Sequence, residues 1–162
     1  MSFVKGFKKF SDGLDKLCIA VVVIMLAVMV GVTIAQIICR NFKALQWSEE
    51  VCRYLLIWTT FLGASCVYKE GSHITITFIQ GLFPPKVQRK IRIFVHIVCI
   101  LVFFTVVYYS FTFGLRQNQL APSLRIPMKY MYMSIPIGFS FMIVHAVNEV
   151  LQLLTAKGGK AE

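Results

Sequence analysis

Acidic residues are scarce. Only seven Asp and Glu occur in 162 residues, against 17 Lys and Arg, and charged residues of both signs make up 15% of the chain. A soluble domain usually carries about 25% charged residues to cover its surface, so a soluble globular enzyme is excluded. The five cysteines (Cys18, Cys39, Cys52, Cys66 and Cys99) include no CxxC pair and no zinc-type spacing. A disulfide-stapled secreted domain is therefore excluded, although a bridge between Cys39 and Cys52 at the ends of consecutive helices stays open. Glycine-rich nucleotide loops, H-E-x-x-H helices and serine nucleophile elbows are also missing. What the chain has instead is apolar mass, at 57% of its residues. A bilayer-spanning helix takes roughly 20 apolar residues, and four of them would use about half of this chain. That composition also rules out a disordered tail.

The apolar runs predict one all-α integral membrane domain over residues 1–162, with four transmembrane helices at 17–39, 50–68, 93–115 and 130–154. The first run has no charged residue between Lys16 and Arg40. It is too long for a signal-peptide core and no small-residue cleavage site follows, so it is expected to be retained. Cations then set the orientation. With the N-terminus in the cytoplasm, Lys5, Lys8, Lys9, Lys16, Lys69, Lys86, Arg89, Lys90, Arg92, Lys157 and Lys160 fall inside. Arg40, Lys43, Arg116, Arg125 and Lys129 fall outside. Eleven against five predicts both termini in the cytoplasm. It also makes the net charge of +10 an orientation device, so no nucleic-acid partner is expected. Trp47, Tyr108, Tyr109, Tyr130 and Tyr132 suit the outer interfacial belt. Two short segments are expected to lie on the bilayer. In 1–16, Phe3, Phe7, Phe10 and Leu14 recur at helical spacing among lysines. In 74–83 an apolar stretch too short to span ends at Pro84-Pro85.

Ionisable residues inside a bilayer are functional hypotheses by default, and few occur here. The first span offers only Gln36, beside a ridge of Ala27, Gly31 and Ala35 that either admits a neighbouring helix or arises by chance. Glu49, Glu50 and Arg53 open the second span. Glu49 and Arg53 share a helix face and either neutralise each other or, with Glu50, reach a partner. In the fourth span His145, Asn148, Glu149 and Gln152 form one polar stripe. Glu149 lies about 8 Å from the helix end, so it either snorkels to water or faces the bundle or a partner. His96 and His145 are the two candidates for haem ligation, at unequal depths of about 4.5 and 13.5 Å. They keep a cytochrome b-like anchor or redox subunit as the alternative function. No cofactor, metal site or catalytic group is expected. A carrier acting alone usually shows helices broken near mid-membrane, and only Pro136 interrupts a span here, towards one end.

The remaining motifs resemble a known family. Trp47-Ser48-Glu49-Glu50, Arg53-Tyr54, Trp58, Phe61-Leu62-Gly63-Ala64-Ser65 and Gly71-Ser72-His73-Ile74 look like the small membrane subunit of tripartite ATP-independent periplasmic (TRAP) transporters, the DctQ-like family. A second block agrees: Leu124, Ile126-Pro127, Tyr132, Ile135-Pro136 and Gly138. One departure is Thr77, where the family often has an acid shortly after the His-Ile pair. The resemblance implies a bacterial inner-membrane complex. A periplasmic binding protein delivers an organic acid, such as a C4-dicarboxylate or sialic acid, to a large permease subunit that carries the substrate and sodium sites. The small subunit acts as its scaffold, in contact with the lipid bilayer. On that reading Glu49, Glu50 and Arg53 fix the outer end of the second span, with Trp58 nearby. Gly63 and Ala64 permit close helix contact, and Gly71 and His73 shape the cytoplasmic turn. Pro127, Pro136, Gly138 and Glu149 complete the set of expected partner contacts.

Overall fold

The computed structural model describes residues 2–40, 46–79 and 85–155, with side chains for 6–40, 46–71 and 87–155. Among the described residues five helices form: α1 (Ser2–Cys39), α2 (Gln46–Ile79), α3 (Pro85–Arg116), α4 (Lys129–Tyr132) and α5 (Ser134–Thr155). Local chemistry sets their ends. Glu49 lies in the first turn of α2 and Arg116 in the last turn of α3, each matching the helix dipole. Pro85 opens α3, where a missing N–H costs nothing. Pro136 explains the step between α4 and α5. It cannot donate to the Tyr132 carbonyl four residues back and its ring crowds that oxygen, so α4 stops at Tyr132 and α5 restarts at Ser134.

Among the described residues, four stretches are long and apolar enough to cross a membrane: Gly6–Cys39, Gln46–Gly71, Val87–Arg116 and Lys129–Thr155. The chain is thus a multi-pass, all-α membrane protein, and each predicted span falls within one of these stretches. The two surface segments differ from expectation. Residues 2–16 are not a separate helix but the unbroken start of α1, which at 1.5 Å per residue is about 57 Å long. Ser11 and Cys18 on this helix are both buried, at 0% and 3% exposure. Likewise α2 runs on to Ile79, so 74–79 continue the second helix, while 80–83 lie outside the described residues.

Successive spans are antiparallel. One end of the bundle gathers the connections after α1 and after α3 (the loop end); the other holds the start of α1 and the close of α5 (the terminal end). The last helix sits in the middle. Helix α5 packs along both α3 and α2 and touches α1, while α1 packs along α2. Across the bundle the order is therefore α1, α2, α5, α3. Ser134, Pro136, Gly138, Met142, His145, Ala146, Asn148 and Glu149 are all buried on α5. The flanking helices turn large apolar side chains outward, among them Val23, Ile24 and Ile37 on α1 and Phe94, Leu101 and Phe104 on α3. Aromatic rings tie the centre together. Phe139 of α5 meets Phe61 of α2 at 6.1 Å and Phe103 of α3 at 5.5 Å, and Phe103 meets Tyr68 of α2 at 5.3 Å.

Candidate functional site

At the loop end, Glu50 reaches across 73 residues of sequence. Its Oε1 accepts the Ser123 N–H at 2.8 Å and its Oε2 accepts the Leu124 N–H at 2.7 Å. The carboxylate is nearly buried, at 9% exposure. Its receptor is a tight loop. The Ala121 N–H donates to the Ile126 carbonyl, the Arg125 N–H to that of Ala121, and the Met128 N–H to that of Gln119, each at 2.9 Å. Leu120 and Pro127 form a bridge at its base. Arg125 takes the left-handed conformation, at φ 52°, that lets so short a loop close. The loop thus turns two backbone donors towards one ionised acceptor, and such charge-assisted bonds are the strong ones. Next to it the Trp58 indole N–H donates to the Tyr130 carbonyl at 3.2 Å. Glu50, Trp58 and Pro127 are therefore brought together, all within this chain. Glu49 and Arg53 are both exposed, and no ion pair joins them among the described residues.

Below this clasp α2 and α5 come into backbone contact. A Cβ added to Gly138 would lie 2.8 Å from both the Cβ and the carbonyl oxygen of Phe61, so only glycine fits. The expected close contact at Gly63 is not made within the chain, since nothing lies within 4 Å of a Cβ added there. Its neighbour Ala64 is half-buried. Ala27, Gly31 and Ala35 are all exposed, facing away from the bundle. Pro136 is buried beside Gly138.

Towards the terminal end lies a second clasp that sequence reasoning missed. Lys69 Nζ on α2 lies 2.8 Å from Asp12 Oδ1 and 3.1 Å from Asp15 Oδ2, both on α1. Ser11 Oγ and His145 Nδ1 share a hydrogen bond of 2.8 Å between α1 and α5, and both residues are fully buried. The Tyr68 hydroxyl and His96 Nδ1 are 3.1 Å apart between α2 and α3. Arg89 Nη2 donates to the Leu154 carbonyl at 3.1 Å and covers the end of α5. Glu149 is 5% exposed and has a partner within the protein, so it faces the bundle and does not snorkel to water. Gly71 also has an interaction within the chain. His73 lies on α2, with its side chain outside the described residues. The advance signals for this clasp were the polar stripe through His145, the histidine at His96, and acid at Asp12 and Asp15 within an otherwise basic segment.

The remaining candidates resolve on the same geometry. Each imidazole has its Nδ1 held by a different helix, His96 by α2 and His145 by α1, an arrangement unlike a facing haem pair. All five cysteines are free. Cys52 lies 3.7 Å from the Thr33 hydroxyl, so the Cys39–Cys52 bridge is not formed. Among the described residues no three His, Cys, Asp or Glu side chains gather as a metal site. Ser11 with His145, Tyr68 with His96, and Lys69 with Asp12 and Asp15 each fix one helix against another. The class is that of a multi-pass helical membrane protein.

Comparison with known proteins gives the family. Residues 29–156 match the family model described as tripartite ATP-independent periplasmic transporters, DctQ component. The ectoine TRAP transporter small permease protein TeaB of Halomonas elongata is 28% identical over 130 residues, covering 77% of this chain and 67% of TeaB. A putative TRAP transporter small permease protein of Haemophilus influenzae is 26% identical over 124 residues, covering 75% of each. The sialic acid TRAP transporter permease protein SiaT, also of Haemophilus influenzae, is 25% identical over 134 residues. That match spans 81% of this chain but only 21% of SiaT, so the homologous region there is one part of a longer permease. The chain belongs to the DctQ family of TRAP transporter small permease subunits, a family of transport components and not of enzymes.

Proposed function

We propose that this chain is the static scaffold of a TRAP-type secondary transporter in a bacterial inner membrane, with both termini in the cytoplasm. It braces a large permease subunit, which takes an organic acid from a periplasmic binding protein and imports it coupled to an ion, with sodium the expected one. The observation that carries the scaffold role is the use of its polar groups. Glu50, Lys69, Asp12, Ser11 and His145 are spent on contacts between elements of the chain, whereas a solute pathway needs polar groups turned towards a passage. Two further features support a large apolar partner. Helices α1 and α3 expose long apolar faces, and this chain's homologous region forms a portion of longer permeases in SiaT and in the isethionate TRAP transporter permease protein DctMQ. The exposed Ala27–Gly31–Ala35 ridge of α1 and the open side of Gly63 are the places where a partner helix approaches most closely. Glu49 and Arg53, exposed at the loop end, meet the partner there.

Co-expression tests this reading. The chain is produced with and without its large subunit, and both co-purification and solute uptake are measured. Uptake is expected only from the pair. Uptake catalysed by this chain alone would end the scaffold reading. A Soret band in the purified protein would favour the redox alternative instead.

A further inference from the structure

An open furrow of about 380 Å³ runs between the loop-end part of α3 and the α4–α5 step, lined by Tyr109, Ser110, Phe113, Tyr132 and Ile135. Its floor is firm. The rings of Phe113 and Tyr132 meet edge to face at 5.3 Å. Behind them Gly114 is buried, and a Cβ added there would touch Tyr132 Cβ at 3.5 Å. The furrow is therefore closed at the back and open on its outer side. It lies two turns or less from the end of the span, and basic side chains stand beyond that end. Arg116 follows Phe113 by one turn on the α3 face that Tyr109 shares, and it is exposed. Lys129 precedes Tyr132 by one turn on α4, with its ammonium 5.4 Å from the centre of the Tyr130 ring. No acid lines the furrow, and the carboxylate of Glu50 at the same end of the bundle is committed to the loop.

We propose that this furrow binds one anionic phospholipid, with an acyl chain along the aromatic floor and the phosphate between Arg116 and Lys129. Size selects the occupant. A single acyl chain is narrow enough to lie in the furrow, whereas a helix about 10 Å across would rest over its mouth and leave the floor unfilled. Charge selects it further, since two cations and no acid complement a phosphate. An acyl chain gains little by exchanging lipid for apolar protein surface. Retention therefore comes from the charge-assisted phosphate contacts acting with the shape of the furrow.

The test is native mass spectrometry of the full chain in dodecyl maltoside, titrated with phosphatidylglycerol. One lipid is expected to stay bound. The Arg116→Gln/Lys129→Gln double variant should weaken it by about thirtyfold, at roughly fivefold per interfacial cation. Ser110→Trp, which fills the furrow, should abolish it, with circular dichroism confirming the helical fold. Arg125→Gln, on the exposed loop, should leave it unchanged. Glycerol phosphate, a headgroup without a chain, should not compete. Equal retention by wild type and the double variant would overturn the proposal, as would competition by glycerol phosphate. So would a photo-crosslinker at position 113 that captures the large subunit, and not lipid, in the assembled complex. The lipid titration needs no permease partner, so its failure leaves the scaffold reading standing.

Discussion

Replacing Glu50 with alanine removes the acceptor of two backbone hydrogen bonds, at 2.8 and 2.7 Å, that tie the 117–128 loop to the start of α2. A hydrogen bond to a charged group contributes about 1.5–3 kcal/mol. Ser123 is exposed and Leu124 half-buried, so water replaces part of what is lost. The net cost of freeing the loop is then about 2–3 kcal/mol. Because about 1.4 kcal/mol is a factor of ten, opening should become about 30- to 150-fold more frequent. Hydrogen exchange reads this directly. The Ser123 and Leu124 amides should lose that much protection in Glu50→Ala, while amides in the middle of α3 keep theirs. Glu50→Gln retains one acceptor oxygen and should fall between. Glu50 does not hold the loop if Glu50→Ala leaves both amides as protected as before, or if exposed Glu49→Ala deprotects them equally.

Three further outcomes follow from the same geometry. Gly138→Ala should force α2 from α5, because the new methyl meets the Phe61 backbone. At about 1–3 kcal/mol for overpacking, the melting temperature in detergent should drop, whereas Gly63→Ala, facing open space, should leave it unchanged. Lys69→Met leaves Asp12 and Asp15 facing each other without their cation. Loss of one member of a buried pair costs up to about 3–5 kcal/mol, less here because Asp12 is partly exposed. Spin labels on α1 and α2 should report separation of the two helices at the terminal end, largely restored by adding Asp12→Asn and Asp15→Asn. Trp58→Phe gives up one exposed hydrogen bond to Tyr130 and should cost about 0.5–1 kcal/mol, a shift measurable in the same melts.

Apolar runs place all four spans within the helices that form, because a bilayer demands the same unbroken stretch from any sequence. They could not show how far the helices extend. Phe3, Phe7, Phe10 and Leu14 read as the lipid-facing stripe of a separate segment; Phe10 is 59% exposed, as a lipid-facing side chain would be, but the helix runs unbroken into the first span and Ser11, beside it, is fully buried. Polar residues go inside there because they meet partners: Ser11 bonds to a residue 134 positions away and Asp15 to one 54 away. Helical periodicity says nothing about pairings at such separations. Glu50 was picked out as a contact residue, but the donors it meets are backbone N–H groups, which carry no sequence signature. The same holds for glycine. Both Gly63 and Gly138 stand in the motifs, and only the packing of α5 against Phe61 decides which of them is crowded.

The position of α5 in the bundle bears on how the chain is made. Helices enter the membrane in the order of synthesis, and α1 and α2 can pair as soon as both have emerged. Helix α3 has no such neighbour waiting. It touches α2 mainly through Tyr68, and its long contact is with α5, which arrives last. Until residues 134–155 leave the ribosome, the third helix is a loose passenger in the lipid. The last segment translated is thus the keystone, and a chain cut short before Ser134 should forfeit not one helix but the placement of two.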